Sequence, residues 1–329
     1  MLKWQASRRV QRLEDPGVTG FVVVNPRSAG GRTAREWPRI ERALRAAYPH
    51  MRLAMTQSRG DATALVRDAL REGHHEIVAV GGDGTINEAV NGLFDADGPI
   101  MPDAVFGFIT SATDGDFRKT FGLAPGYIAA IARLRQAPVH RIDVGRLACL
   151  TPDGKPVVRY FANIGSFGLS GAVVRTANSA RISQLFGRRF ALAFNSARTR
   201  LFWRDRMIRL RIDGEYDEIA SISTVAVANG QFFGGGRRIA PQAVPDDGLF
   251  DVIVMGGAPQ IRAFADMREV RTGGQMTNPP VRALRGRRVM ALPVAETRGR
   301  PVLIEIDGEC VGRLPATFEL LPRALNLRC

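Results

Sequence analysis

An α/β domain followed by a mostly β domain is the fold class that the sequence predicts. Within the first 142 residues, short apolar runs alternate with segments of helical periodicity. This β-α-β-α-β order is typical of a doubly wound parallel sheet. Beyond residue 142 the chain reads as short strands separated by Gly, Pro and Asp turns. Its 329 residues are enough for two domains, each with its own core.

The first domain is predicted to follow a polar, basic leader at residues 1–19. Its helices show apolar residues at helical spacing. The first helix ends by Pro49, the second begins with Asp61 as its N-cap and stops at Gly73, and the third occupies 86–94. Apolar runs predict the strands between them, at 21–24, 52–56, 77–80 and 105–109.

The second domain is predicted to be rich in strands, because several of its apolar segments alternate with polar residues. One helix-like insertion at about 173–203 interrupts them. It mixes aromatic residues with arginines, which suits either a membrane-interface segment or a helix packed on the sheet. The predicted strands are 157–163, 207–212, 221–228, 249–255, 288–292 and 303–307.

The charge balance indicates an anionic partner. There are 46 Lys and Arg residues against 32 Asp and Glu, a net charge of +14. ATP, an anionic membrane or nucleic acid would all be attracted. No nucleic-acid-binding motif is present, so we expect no nucleic acid. The three cysteines lack metal-like spacing, and no apolar run reaches the ~20 residues that span a bilayer. These features indicate a cytoplasmic protein.

The segment from Gly81 to Gly92 (GGDGTINEAVNG) follows a predicted buried strand and opens a helix. Glycines at a strand-to-helix turn let backbone amides approach a bound group, and a helix N-terminus favours phosphate. Asp83 lies inside that loop. A carboxylate beside polyphosphate is useful only with a magnesium ion or a proton in transfer. The loop therefore indicates nucleotide phosphoryl chemistry.

The segment 81–92 resembles the GGDGTxxExxNG signature of the diacylglycerol kinase catalytic family. Residues 25–31 (NPRSAGG) are similar to the family's NPxSG loop with one insertion, and 141–145 (RIDVG) to its RxxDxG segment. Residues 228–251 match its glycine-rich and DDG stretch, and 306–309 (IDGE) its DGE element. The resemblance implies a nucleotide-binding domain with an NAD-kinase-like sheet at 20–142, which 323–329 completes. It implies a β-sandwich domain for lipid substrate at 143–322.

By this resemblance the cofactors are ATP and Mg²⁺, and the nucleotide contacts come from the two loops and their surroundings. Gly60 and Asp61 resemble contacts on the adenosine side. The nucleotide-binding residues that the resemblance implies are Asn25, Pro26, Arg27, Ser28, Gly30, Gly31, Thr56, Gly81, Gly82, Asp83, Gly84, Thr85, Asn87, Glu88 and Thr113.

The catalytic residues implied by the resemblance are carboxylates. Asp83, Asp116 and Asp143 match a network that organises magnesium and water. The segment at 112–119 (ATDGDFRK) departs from the family's GTxNDFAR, which is an argument for reduced or redirected activity. Glu309 is predicted to be the general base, with Asp307 as an organiser or alternative.

If residues 307 and 309 lie on one strand, both acids share a face. The alternative is a hairpin turn with solvated acids, because Asp-Gly is a common turn pair. A second Asp-Gly-Glu run, at 213–215, does not match the family element in position, and we predict a turn there. The DDG stretch resembles the family's structural magnesium loop, with ligands from Asp247, Val244 and Leu249, or else it is a turn without metal.

The resemblance predicts an ATP-dependent lipid kinase that phosphorylates a primary hydroxyl of diacylglycerol, ceramide or a sphingoid base. Its expected partners are the lipid, the anionic inner face of the membrane and a second copy of the chain. The alternatives are an NAD-kinase-like enzyme, which shares the GGDGT loop, and a non-catalytic lipid- or nucleotide-binding regulatory protein, which the altered 112–119 segment favours.

Overall fold

The computed structural model describes residues 20–110, 115–179, 203–256, 281–294 and 301–329. The leader, residues 111–114 and most of the 173–203 insertion lie outside the described residues. By internal contacts the chain divides into two compact units. One comprises Met1–Ile142 with Arg323–Cys329, and the other Asp143–Pro322. Among the described residues, no helix is both long and apolar enough to cross a bilayer.

The first unit contains a parallel sheet with strand order β2-β1-β3-β4-β17. Valines of its inner strands pack against buried residues of the first and fifth helices. The doubly wound parallel sheet is therefore confirmed. The strands are β1 (Phe21–Val24), β2 (Arg52–Met55), β3 (Glu76–Val80), β4 (Val105–Ile109) and the end of β17 (Glu309–Arg328).

The described residues of this unit form five helices beside the sheet. Gly73, with φ +89°, ends the second helix as predicted, because its left-handed backbone breaks the helix. The helices are α1 (Arg32–Ala47), α2 (Asp61–Arg71), α3 (Asp83–Gly92), α4 (Asp116–Thr120) and α5 (Tyr127–Gln136), and a 3₁₀ turn (Ser28–Gly31) precedes α1.

Two predicted helix starts are wrong. Helix α3 begins at Asp83 rather than at residue 86, because Gly82 is extended and its carbonyl accepts hydrogen bonds from Thr85 N and Ile86 N. The N-cap of α2 is Gly60, not Asp61. The Asp61 carboxylate instead accepts hydrogen bonds from backbone amides of the preceding loop.

The second unit is a set of antiparallel strands centred on β17. One path runs β14-β13-β10-β7-β16-β17, and β17 also pairs with β15, which continues to β8 and β9, and with β5, which continues to β6. The strands are β5 (Val139–Leu150), β6 (Pro156–Phe161), β7 (Ile164–Gly168), β8 (Arg206–Ile212), β9 (Tyr216–Ile222), β10 (Thr224–Ala228), β11 (Phe232–Phe233), β12 (Arg237–Arg238), β13 (Phe250–Met255), β14 (Val281–Gly286), β15 (Arg288–Pro293) and β16 (Leu303–Ile306).

Phenylalanines fill the core of this unit. Phe161 stacks on Phe250 with 5.7 Å between ring centroids and meets Phe318 edge-on at 6.1 Å. Such aromatic pairs stabilise a core beyond the area that they bury. Helix α6 (Leu169–Ser179) follows β7, so the predicted insertion becomes helical before residue 173. The strand predicted at 221–228 is two strands, because the chain turns at Ser223 between β9 and β10.

Candidate functional site

The two glycine-containing loops of the first unit are joined by side chains. Asn25 Nδ2 donates a hydrogen bond of 3.0 Å to Thr85 Oγ1, and Asn25 N donates to the Val80 carbonyl at 2.9 Å. Gly81 is required at this junction, since a Cβ there would lie 2.5 Å from Thr85 Oγ1. Adjacent parallel strands β1 and β3 thus present both loops at their carboxyl ends, where open α/β sheets bind ligands.

The first of these loops has a backbone suited to an anion. Ala29, Gly30 and Gly31 have consecutive φ values of +52°, +66° and +81°. Turns of this kind can present backbone amides to an anion, and of the three amides Gly31 N already donates to the Arg27 carbonyl at 3.2 Å. The Ser28 hydroxyl donates to the Asn25 carbonyl at 2.8 Å, so this side chain also shapes the loop itself. Thr33 Oγ1, which contacts Ser28 Oγ, lies 2.9 Å from the Tyr127 hydroxyl. The remaining loop members, Pro26 and Arg27, make the turn between β1 and the 3₁₀ segment.

Glu88, a predicted nucleotide contact, has a capping function. Its carboxylate accepts hydrogen bonds from Gly60 N at 3.0 Å and Ala62 N at 3.3 Å, at the start of α2. Free amides at a helix start need such acceptors. Glu88 therefore holds the loop that follows the buried Thr56, the segment predicted on the adenosine side. Asn87 is also buried, and its carbonyl accepts from Asn91 Nδ2.

Asp83 occupies a half-buried position at the first turn of α3. Its Oδ2 accepts a 2.9 Å hydrogen bond from Asp116 N, so two predicted catalytic acids lie together. Its Oδ1 is buried and accepts no hydrogen bond from any residue of the described chain. Burial raises the pKa of Asp83 to about 6, while the hydrogen bond from Asp116 N acts in the opposite direction. Thr113, predicted beside them, lies outside the described residues.

The Asp83–Asp116 pair has the donor type that magnesium requires. Mg²⁺ binds through one or two carboxylates and completes its shell with water and phosphate oxygens. Asp83 Oδ1, buried without a protein donor in the described part of the chain, fits that role. Within the described ranges, no cluster of three or more His, Cys, Asp or Glu side chains could hold an ion alone. A bound nucleotide would have to supply the other ligands.

Asp143, the third predicted acid, is fully buried in the second unit and anchors the DDG loop. Asp143 N donates to the Pro245 carbonyl at 2.7 Å, and Gly248 N donates to Asp143 Oδ2 at 2.8 Å. The Asp143 carbonyl also accepts from Asn229 Nδ2 at 2.9 Å. These contacts give Asp143 a structural function. Asn229 was not singled out from the sequence, although it belongs to the 228–251 stretch.

The predicted magnesium loop is differently engaged here. Asp247 Oδ1 accepts a hydrogen bond from Leu249 N at 3.1 Å, and Oδ2 accepts one from the Arg285 guanidinium. The Val244 carbonyl accepts from Asp247 N at 3.4 Å. Both carboxylate oxygens thus have protein donors in this arrangement. The metal function of Asp247, Val244 and Leu249 stays a prediction.

Of the two arrangements that the sequence leaves open for Asp307 and Glu309, the structure has the hairpin turn and not a shared strand face. β16 ends at Ile306, which pairs with Glu309 at the start of β17. Asp307 (φ +46°) and Gly308 (φ +86°) form the two-residue turn between them. Positive φ at both positions is typical of a type I′ hairpin, for which Asp-Gly is a favoured pair. Asp307 Oδ1 accepts from Ile164 N at 3.1 Å, so this acid is tied to β7.

Sequence reasoning missed Glu305, which lies two residues before that turn and has no exposed surface. Its Oε2 accepts a hydrogen bond from Gly308 N at 2.9 Å. The other Asp-Gly-Glu run forms a turn, as predicted: Asp213 and Gly214 have φ values of +50° and +82°.

Comparisons with known proteins give the family of this chain and agree with its fold. The sequence matches the family model described as Diacylglycerol kinase catalytic domain over residues 19–147. It matches the YegS C-terminal NAD kinase beta sandwich-like domain over residues 163–329. Fold and site thus define the class as a kinase with an NAD-kinase-like architecture. More particularly, the chain belongs to the lipid kinase family of diacylglycerol kinases and YegS-like proteins.

Relatives carry names of the same family, and a solved structure has a similar fold. A probable YegS-like lipid kinase of Chromohalobacter salexigens is 29% identical over 268 residues, 80% of this chain and 76% of its own. A diacylglycerol kinase of Staphylococcus haemolyticus is 26% identical and covers 93% of this chain and 86% of its own. A putative diacylglycerol kinase structure from Bacillus anthracis superposes with a TM-score of 0.72 at 22% identity, covering 94% and 96%. That likeness concerns the fold.

Proposed function

We propose that the protein transfers the γ-phosphoryl group of ATP to a primary hydroxyl of a membrane lipid in a Mg²⁺-dependent reaction. Diacylglycerol is the first acceptor to test, with ceramide and sphingoid bases as competitors. One observation carries the proposal: the Oδ1 atom of Asp83 is buried and has no hydrogen-bond donor within the described chain, at a helix start that two phosphate-type loops adjoin. The relatives are named as a probable lipid kinase and a diacylglycerol kinase, and these names support a lipid acceptor.

The nucleotide would be held by backbone rather than by side chains. Amides of Ala29 and Gly30 and of the α3 N-terminus would supply donors that favour phosphate oxygens. The Asn25–Thr85 hydrogen bond keeps the two sets of donors in fixed register. Preorganised donors of this kind are effective because they cost no rearrangement during the reaction.

Asp83 and Asp116 would hold the metal ion that accompanies ATP. When bound, magnesium neutralises charge on the transferring phosphoryl group. The raised pKa of Asp83, about 6, means that this side chain ionises fully only above that pH. A cation beside Oδ1 would favour the ionised form and lower that pKa. Asp83 is therefore suited to a site in which its carboxyl group ionises when the metal ion binds.

Glu309 would accept the proton of the lipid hydroxyl. A hydroxyl is a poor nucleophile at neutral pH, and a positioned carboxylate assists as the proton leaves. Glu309 is the first residue of β17, beside the rigid 307–308 turn. Asp307, tied to Ile164 N, would keep that turn in place. The net charge of +14 supports work at the anionic inner face of a membrane.

A radiolabelled-ATP assay tests the proposal. Purified protein is incubated with Mg²⁺ and vesicles that carry diacylglycerol, ceramide, a sphingoid base or only phosphatidylglycerol, and NAD is a separate acceptor. We expect label in one lipid, and loss of labelling with EDTA or in Asp83→Asn. Label in NAD alone would favour the NAD-kinase-like alternative. Nucleotide binding without transfer to any acceptor would favour a regulatory protein.

A further inference from the structure

Glu305 places a carboxylate at a fully buried position of the second unit. It lies in β16, between β7 and β17, and its side chain has no exposed surface. The flanking residues Ile304 and Ile306 are fully buried too, so both faces of this strand are covered. A buried carboxyl group costs free energy unless hydrogen bonds satisfy it. A position of this kind therefore calls for a specific function.

Both oxygens of Glu305 have donors, on opposite sides. Oε1 accepts from Ser166 Oγ of β7 at 2.7 Å, and Oε2 accepts from Gly308 N at 2.9 Å. Ser166 is fully buried, and its Oγ also lies 2.7 Å from Ser170 Oγ at the start of α6. The carboxylate thus connects the core of the second unit to the backbone of the 307–308 turn.

The strand itself is adapted at this point. Ile304 pairs with Gly312 but Glu305 pairs with Cys310, so the register shifts by one residue between them. A bulge of this kind re-aims side chains beside it. The residue that Glu305 holds by its amide, Gly308, is covalently joined to Glu309. The bulge and the hydrogen bond together determine where β17 begins.

We propose that Glu305 is a positioning residue for Glu309. By bonding Gly308 N and Ser166 Oγ, it fixes the turn from which the Glu309 side chain projects. The inference rests on the proposed function, because it assumes that Glu309 acts in proton transfer. In the other Asp-Gly-Glu hairpin the corresponding position is Arg211, which pairs with Asp217 on the surface. That hairpin provides a matched control.

The test is a double-mutant cycle in the lipid-labelling assay with purified full-length protein. We expect Glu305→Gln to lower kcat at least tenfold while KM for ATP changes less than twofold. In a Glu309→Gln background the same change should have no further effect, since a residue acting through Glu309 has nothing left to position. Arg211→Gln should leave kcat unchanged. An unchanged kcat for Glu305→Gln, or equal losses in both backgrounds, would overturn the inference.

Hydrogen–deuterium exchange separates this inference from the proposed function. In Glu305→Gln, the amides of the 305–310 segment should exchange faster than in the wild type, whether or not any lipid is phosphorylated. If the wild type has no kinase activity but exchange rises, the proposed function fails and the turn contact stands. Unchanged exchange overturns the positioning function itself. If Glu305→Gln does not fold, Ser166→Ala provides a second variant, because it removes one donor to Glu305. It should lower kcat and speed amide exchange in the same directions, by smaller factors.

Discussion

Two hairpins in the second unit carry the same three letters, Asp-Gly-Glu, with similar φ values at Asp and Gly, although Glu215 lies in its turn whereas Glu309 pairs with Ile306 in the ladder. Asp213 and Gly214 have φ values of +50° and +82°, against +46° and +86° for Asp307 and Gly308. Their surroundings differ. The Asp213 carboxylate accepts backbone hydrogen bonds from the 287–288 segment, whereas the 307–308 turn is held from below by a buried carboxylate.

The contrast shows that the function of a turn motif depends on the residues that contact it. Two positions before the first turn stands Arg211, an arginine that pairs with Asp217. Two positions before the second stands Glu305, which is fully buried. The first arrangement is a surface ion pair across a hairpin, and such pairs contribute little free energy to folding. In the second arrangement Glu305 holds the amide of Gly308, the residue before Glu309. A proposed general base needs such a fixed position.

The largest expected difference is in catalysis. Glu309→Gln should lower kcat about 10³-fold, because a positioned base contributes roughly 10² to 10⁴ to such reactions. Glu215→Gln, the same change in the other hairpin, should leave kcat unchanged. Steady-state labelling of the acceptor lipid measures both. Comparable losses for the two variants would remove the distinction between the hairpins. A change confined to KM would remove Glu309 from the chemical step.

A second pair of acids contrasts a carboxylate whose pKa is raised with one whose pKa is lowered. Asp83 and Asp61 are each the first residue of a helix after a glycine. Burial raises the pKa of Asp83 to about 6, whereas hydrogen bonds from Ser58 lower the pKa of Asp61. Between its unfolded pKa of about 3.9 and the folded value, the folded protein binds more protons at Asp83, so stability falls as pH rises.

We therefore expect Asp83→Asn to be stabilised relative to wild type, by roughly 3 kcal/mol at pH 7.5 and much less at pH 4.5. Asp61→Asn should show the opposite sign, because the folded state favours the ionised Asp61 carboxylate and its contribution is lost as pH falls. Urea unfolding at the two pH values measures the differences. A pH-independent effect of Asp83→Asn would mean that its carboxylate is solvated in the folded protein.

A smaller effect separates the two turn aspartates. Asp213 accepts backbone hydrogen bonds from Arg287 N through both oxygens and from Arg288 N. Asp213→Asn should lower the free energy of unfolding by about 2 kcal/mol, since bonds to a charged acceptor are lost. The value of kcat should not change. Asp307→Asn should lower kcat with a smaller loss of stability, as unfolding curves and labelling rates together would show.

The smallest effect is expected at the two turn glycines. No described atom lies within 4 Å of a Cβ built on Gly214 or Gly308, so only the backbone conformation matters. Each Gly→Ala substitution should cost about 1 kcal/mol, because both glycines have positive φ. Gly308→Ala should also lower kcat, and Gly214→Ala should not. Equal kinetic behaviour of the two variants would argue that the 307–308 turn has no catalytic consequence.

The sequence was most informative where a local rule decides the structure. Apolar runs marked β1, β3 and β4, and Gly73 marked the end of α2, since burial and positive φ leave direct signatures. It failed where packing from distant residues decides. It left open whether residues 307 and 309 share a strand face or flank a hairpin turn, because the Asp-Gly pair is compatible with both.

Glu305 could not be found from the sequence because an acid inside a strand normally faces solvent. β16 is instead covered on both faces, and that depends on its position between β7 and β17. Glu88 was assigned to the nucleotide because it falls in the signature, whereas its carboxylate caps α2, which begins 27 residues earlier in the chain. The site's loops were predictable from glycine spacing, but the contacts that support them come from residues far apart in sequence.

Strand β17 has a consequence for biosynthesis. Asn326 and Leu327 pair with β4, and Asn326 Nδ2 donates to the Pro102 and Ala104 carbonyls. The nascent first unit thus leaves the ribosome with β4 as an open edge, which persists until the whole second unit has been translated. An open apolar edge invites aggregation. We expect newly made chains to depend on chaperones until residues 323–329 emerge and close the sheet.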